Sequence, residues 1–246
     1  LNGAQRHTVK FAETIEDAVD VMGPLSLNGT QGATARVRDV TSEGFQFQVD
    51  EWDYLDGIHT MEEVSWVAAS AGTWEVDGTT VQFGKTTGSN EMQNVALDKA
   101  AFGGDEPVVM TQIASDNDGS AALSQIWDVD EDSFQFHIIK EEAAANRHPT
   151  EDVHWMAVGD GGGLSSGTIS ASNVRRTVEG ADSDDAFFAA RQTENGLDTA
   201  ALRYMDNGNG KVAVLVQEEQ SLDAELVHTQ ETIGWLSLQN GTYDLG

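Results

Sequence analysis

The sequence contains no cysteine, which excludes disulfides and thiolate chemistry. It holds no apolar run long enough to cross a bilayer and no signal-peptide pattern at its start. The chain opens at Leu1 without a methionine, which points to processing or to an excerpt of a longer polypeptide whose flanks would hold any anchor. Cations are scarce: 13 Lys and Arg face 42 Asp and Glu in 246 residues, a formal net charge of -29. Lysine is confined to Lys10, Lys85, Lys99, Lys140 and Lys211. With no basic stripe to replace phosphate counterions, nucleic acid is not an expected partner.

Motifs of catalysis and metal binding are also missing. Nothing matches H-E-x-x-H, and the acidic turn Asp116-Asn117-Asp118-Gly119 is too short for an EF-hand loop. That turn and Asp182-Ser183-Asp184-Asp185 read as solvated acidic surface. Ser165 and Ser166 lie in a glycine-rich stretch without a nucleophile elbow, and no pair of carboxylates is singled out as acid and base. The expectation is a non-enzyme with no cofactor and no bound metal.

So large an excess of one sign is self-repelling in dilute buffer. At molar salt the Debye length falls to ~3 Å, the repulsion is screened, and a carboxylate-rich surface stays hydrated. The balance fits a salt-adapted protein; an acidic mesophilic protein, or one with many divalent-ion sites, is the alternative.

What the chain does contain is one phrase written three times. His59-Thr60-Met61-Glu62-Glu63-Val64-Ser65-Trp66, His148 to Trp155 and His228 to Trp235 all read H-x-x-E-x-[VI]-x-W. Recurrence of a motif behind similar strand-like runs is the signature of a repeated supersecondary unit. Units of about 80 residues bury a modest share of their surface and gain by packing on their neighbours. We divide the chain into 1–90, 91–165 and 166–246.

Within each unit the clearest element is an alternating strand. In the first, Phe45, Phe47 and Val49 alternate with Gln46, Gln48 and Asp50; Phe134, Phe136 and Ile138, then Val212, Val214 and Val216, follow in the others. Period two marks a half-buried strand. Asp77-Gly78 is a two-residue hairpin signal, read as an extra hairpin of the first unit. The segments 85–93 and 159–167, rich in glycine, serine or threonine, read as linkers. Behind the alternating strands run polar loops: Asp53 to His59, then Glu141 and Glu142 through Asn146 to His148, then Glu218 to His228. Short strands with frequent turns argue for antiparallel β-sandwiches and an all-β fold.

The runs Pro107 to Ile113, Ile126-Trp127-Asp128-Val129, Ser133-Phe134 and Val153-His154-Trp155-Met156-Ala157 resemble the H-type lectin domain. So do Arg36-Val37-Arg38-Asp39-Val40, Gly44-Phe45 and Val64-Ser65-Trp66-Val67-Ala68. The stretch Glu51 to His59 is also similar to haloarchaeal and bacterial surface repeats. The likeness rests mainly on hydrophobic spacing. It implies a six-stranded antiparallel β-sandwich, often trimeric, that binds galactose-type sugars without a metal. Its sugar site uses an arginine eight residues before the strand glycine, with a tryptophan and a histidine eight and nine residues after it. Arg36 and Trp52 match, but Asp53 stands in place of the histidine. The second unit departs throughout with Gln125, Glu141 and Glu142, and the third keeps only Arg203 before Glu219 and Gln220.

A sugar site needs an apolar face and fixed polar groups. Arg36, Trp52, Asp53, Tyr54 and Asp56 supply both on one strand and loop; the competing reading packs Trp52 at a sandwich edge and pairs Arg36 with carboxylates. For His59, His148 and His228 with Glu62, Glu151 and Glu231, the structural reading is a hydrogen bond that seats the last strand, rather than a zinc site. Trp66, Trp155 and Trp235 read as core. The expected role is adhesion or recognition of surface glycans or glycoproteins at an extracellular cell or virion surface, with self-assembly through repeat packing and no membrane insertion in this segment. The alternatives are a purely structural subunit of a virion spike, tail decoration or surface filament, and an accessory module of a polysaccharide-degrading enzyme. Three units could close into a pseudo-trimer or line up as beads.

Overall fold

A computed structural model describes residues 5–144 and 148–243, so Asn146 lies outside the described part. The described chain is all-β, with no helix among its elements. Strands β1 (His7–Lys10), β2 (Ala18–Met22), β3 (Leu25–Ser26), β4 (Ala33–Thr41), β5 (Gly44–Glu51) and β6 (Trp66–Ser70) form the first stretch. The second holds β7 (Gly72–Val76), β8 (Thr79–Gly88), β9 (Gln93–Ala96), β10 (Val108–Ile113), β11 (Ala122–Val129), β12 (Ser133–Lys140) and β13 (Glu151–Val158). The third holds β14 (Ser165–Ala171), β15 (Arg176–Asp182), β16 (Ala186–Arg191), β17 (Ala200–Asp206), β18 (Lys211–Glu218) and β19 (Glu231–Leu238).

The same pairing order recurs. One sheet of each stretch reads β1-β5-β4, β9-β12-β11 or β15-β18-β17, and the facing sheet reads β2-β6, β10-β13-β8-β7 or β16-β19-β14. The alternating strands β5, β12 and β18 take the middle place. In β5, Phe45, Phe47 and Val49 are buried while Gln46, Gln48 and Asp50 are partly exposed, as a strand with one core face requires. Pairing is antiparallel except where the short β3 adds parallel to β17, so the first stretch completes a sheet of the third.

The hairpin at Asp77-Gly78 is present, with φ of +49° and +75° at its two turn residues and Val76 opposite Thr79. Both angles positive is the mirror-image turn that suits twisted strands. Its place differs from the sequence reading. β8 pairs along its length with β13, from Val81 opposite Val158 to Gly88 opposite Glu151, so the hairpin belongs to the second sandwich and the division near residue 90 falls too late. Of the two expected linkers, 85–93 is partly strand, since β8 runs to Gly88 and β9 starts at Gln93, whereas 159–164 is irregular backbone between β13 and β14. Glycines along β8 are there for close approach. A Cβ at Gly84 would stand 2.2 Å from the Trp155 ring, and one at Gly88 2.6 Å from Phe136.

Buried side chains gather within each stretch and again between them. Val95, Phe134, Phe136, Ile138 and Trp155 centre the second core, and Val178, Phe187, Val212, Val214 and Trp235 the third. A separate cluster joins Val19 and Val21 of the first stretch to Met110 and Met156 of the second and Phe188 and Leu236 of the third. On another seam Trp52 packs with Ala121 and Ala201, again one residue from each stretch. The three stretches therefore share core residues, which a row of beads would not do.

Candidate functional site

The repeated phrase folds into one network, built three times. Glu62 and Glu151 lie just before the last strand of their sandwich or at its start, as does Glu231, and all three are at most 4% exposed. A histidine three residues earlier approaches each carboxylate through Nε2: His59 at 3.0 Å, His148 at 3.2 Å and His228 at 3.1 Å. From across the sandwich comes a loop reading Ser26-Leu27-Asn28-Gly29, Ser115-Asp116-Asn117-Asp118 or Thr193-Glu194-Asn195-Gly196. Its hydroxyl donates to the carboxylate from Ser26, from Ser115 (2.5 Å) and from Thr193 (2.5 Å). Its last two amides do so too: Asn28 and Gly29 at 2.9 and 2.8 Å, Asn117 and Asp118 at 3.1 and 3.2 Å, Asn195 and Gly196 at 2.8 and 2.9 Å. The asparagine side chain donates to the carbonyl preceding each glutamate, at Met61, Thr150 and Gln230.

Such a carboxylate is held ionised. Burial opposes the charge on Glu62, but donation from His59, Ser26 and the loop amides outweighs it and lowers the pKa from 4.5 to about 2. Glu151 is likewise brought to about 2 against the cost of its burial, by His148, Ser115, Asn117 and the charge of Arg36. The Glu231 pKa is also lowered, and that of His228 is raised by its bonds to Glu218 and Glu231 in spite of burial.

Arginine ties the networks to one another. Arg36 of the first stretch reaches Glu151 of the second at 2.8 Å and donates to the carbonyls of Ser115 and Asp118. Arg203 of the third stretch reaches Glu62 of the first at 2.7 Å and donates to the carbonyls of Ser26 and Gln31. Gln125 fills the same place in the second stretch and donates to Thr193 O of the third at 3.1 Å. Where that arginine is replaced by glutamine, Arg191 of the third stretch itself supplies the cation, with Nη1 3.4 Å from His228 and Nη2 donating to Ala200 O. First to second, second to third and third to first, the contacts close a ring.

A second set of contacts runs around the ring on the facing sheets. His154 Nδ1 lies 3.1 Å from the Asp20 amide and 2.8 Å from its Oδ1, joining second to first. Ser65 Oγ accepts from the Phe187 amide, joining first to third. Gln192 both accepts from and donates to the backbone of Val109, joining third to second.

These contacts decide where the sequence-derived site residues lie. Arg36 is fully buried and Trp52 is 1% exposed, so neither offers a surface to a sugar ring. This corrects the expectation of a platform built on them; packing at a seam consumes the indole and the inter-sandwich network consumes the guanidinium. Asp53 accepts from the Ala121 amide at 3.1 Å. Tyr54 is 41% exposed, and Asp56 is exposed with its carboxylate turned back on the Ile58 amide. Of the three tryptophans expected in the core, Trp155 and Trp235 are each 5% exposed but Trp66 is 41% exposed. The turn Asp116-Asn117-Asp118 stays at the surface, with Asp116 and Asn117 exposed, but its amides face inward. It is a cradle for Glu151, and Asp116 pairs with Arg38.

Three surface features remain. The loops after β5 and β18 expose Ile58 and Met61, and Leu222, Leu226 and Val227. Among the described residues, Glu142, Asp198 and Glu218 bring carboxylate oxygens within 4.8 Å of one another. At the seam between the first two sandwiches an open cleft is lined by Arg6, Asp17, Lys85, Asp116, Asp152 and His154. It was invisible in the sequence because β2, β4, β8 and β13 meet there only through the ring.

Comparison with known proteins adds one relative. Over 97% of its length the chain is similar, at 27% identity, to Halomucin of Haloquadratum walsbyi, and it spans about 3% of the length of that protein. No family model matches the chain, and no solved structure matches it. Among the described residues no helix is long and apolar enough to cross a membrane.

Proposed function

We propose that the chain is three tandem copies of an H-type-lectin-like sandwich closed into a ring, and that it works outside the cell, without catalysis, as a glycan-recognition or adhesion module of a salt-adapted organism. The recurring strand order and thrice-built network support triplication. The net charge of -29 and the likeness to a protein named Halomucin support the setting. The observation that carries recognition is the cleft at the first seam. Arg6, Asp17, Lys85 and Asp152 are exposed there, presenting donors and acceptors side by side as sugar hydroxyls require. The site sits between two sandwiches rather than on the Trp52 face.

The test is binding of glycans released from haloarchaeal surfaces, measured in molar KCl for the wild type and for Lys85→Ala with Asp152→Ala. Saturable binding lost in the double variant supports the cleft. Equal binding by both sinks it, and absence of binding by either leaves the second reading, a purely structural unit of a surface filament. The burial of Arg36 and Trp52 favours that second reading, since the likeness to lectins had placed the sugar there.

A further inference from the structure

The last strand of each sandwich has a different neighbourhood. β13 lies between β10 and β8, and β19 between β16 and β14, whereas β6 pairs with β2 alone among the described residues. Trp66, Trp155 and Trp235 hold the same place in register, opposite Met22 on β2, Thr111 on β10 and Ala189 on β16. Their surroundings differ on the other side. Gly84 of β8 is the partner of Trp155, and Gly167 of β14 is the partner of Trp235. The Trp155 indole fills the space a side chain at Gly84 would need, since a Cβ there would be 2.2 Å away, and at Gly167 a Cβ would touch the Trp235 ring at 3.6 Å. With a glycine strand alongside, both indoles are 5% exposed; Trp66, with none, is 41% exposed.

We propose that the open edge of β6 binds an extended peptide strand, antiparallel, with glycine facing Trp66. An edge of unpaired amides and carbonyls is a template for strand addition, and the two covered edges of the same molecule specify the occupant. It is a strand of the β14 kind, Ser165–Ala171, whose Ser-Ser-Gly-Thr-Ile-Ser-Ala sequence is small, hydroxyl-bearing and free of ionisable side chains. Such a strand adds no repulsion to a chain of net charge -29. Pairing of β6 with the β6 of a second copy does not meet the specification, because Trp66–Ser70 contains no glycine. The proposal goes beyond glycan recognition and stands without it.

The experiment uses the full chain in molar KCl and a synthetic peptide with the sequence of Ser165–Ala171, offered free and also fused to the chain through a flexible linker to raise its effective concentration. Hydrogen exchange at Trp66–Ser70 and acrylamide quenching are read with and without the peptide. Trp66→Phe isolates the Trp66 signal from that of Trp127, which is 43% exposed. Expected are protection of the β6 amides, loss of quenching at Trp66, and a peptide carrying Gly167→Val that binds weaker by about ten-fold or more. No protection of β6 by the free or the fused strand overturns the proposal. Equal binding of the valine peptide overturns the glycine-facing strand, and concentration-dependent self-association that protects β6 without peptide assigns the edge to a second copy instead.

Discussion

At the scale of single residues the decisive groups are three buried glutamates, each held by a histidine, a hydroxyl and two loop amides. For Glu151, replacement by glutamine removes the charge opposite a fully buried Arg36 while keeping the shape. Stranding one member of a buried pair costs about 3–5 kcal/mol, so Glu151→Gln should lower stability by that order in denaturant melts, and an effect below about 1 kcal/mol would show the pair to be dispensable. The same groups set the pH response. Glu62 and Glu151 fall from 4.5 to about 2 on folding; a depressed carboxyl contributes stability that is present above its unfolded pKa and lost as pH falls through the folded one. The pKa of His228 is raised above 6.5, so its contribution is complete below that value and disappears as pH rises through the folded pKa. Both contributions are present together from about pH 4.5 to about pH 6.5. Melts across pH at fixed salt should place maximal stability in that window, with the acid limb shallower in Glu62→Gln and the alkaline limb shallower in His228→Gln.

At the scale of elements the three networks are equivalent but not identical. His59 Nδ1 meets Glu51 at the end of β5 at 2.8 Å, and His228 Nδ1 meets Glu218 at the end of β18 at 2.5 Å. In the second sandwich the strand position is Lys140, and the carboxylate has moved to the loop, where Asp118 stands in place of Gly29 and Gly196. Asp118 pairs with Lys140 and lies 3.6 Å from His148. The charge beside the histidine is thus kept while strand and loop exchange roles. Lys140→Glu alone sets two carboxylates together, and Asp118→Gly alone strands a lysine whose side chain is 7% exposed. The double variant rebuilds the arrangement of the other two sandwiches. A double-mutant cycle should give a favourable coupling on the order of 1–3 kcal/mol, and additive losses would refute the exchange. Such exchanges also show how much could be read beforehand. Alternation in β5, β12 and β18 and the H-x-x-E spacing are local and stand plainly in the sequence. The cradle loops lie more than thirty residues from their glutamates and match only as Ser or Thr, then Asn two places on. The segment 85–93 misled because a glycine needed for close packing, Gly88 against Phe136, looks in composition like a glycine needed for flexibility.

At the scale of the molecule the ring concentrates buried charge and shared core at its seams while the surface carries the acidic excess. Trp52 is the largest side chain at one seam, packed on Ala121 and Ala201 of the other two sandwiches. Trp52→Ala should therefore cost about 3–5 kcal/mol and loosen all three sandwiches together, visible as loss of a single cooperative transition. This makes it a test of the ring rather than of sugar binding, a difference the sequence could not reveal because stacking and packing draw on the same residue. The seams also explain the expected need for salt. Inward-facing carboxylates such as Glu62 and Glu151 have arginine partners, whereas most of the 42 acidic side chains have no cation available among 13. Their mutual repulsion acts on the whole ring. It is long-ranged in dilute buffer and confined to ~3 Å at molar ionic strength, while the buried pairs, shielded from solvent, change little with salt. Thermal melts should accordingly show a fall in Tm, or loss of the cooperative transition, in low salt and recovery in molar KCl. The recovery should follow ionic strength in the early part of the titration, with Glu151→Gln shifting the whole curve down without changing its slope. A ring that melts at the same temperature in dilute buffer and in molar KCl would mean that its seams outweigh the repulsion unaided, and the acidic surface would then need another explanation.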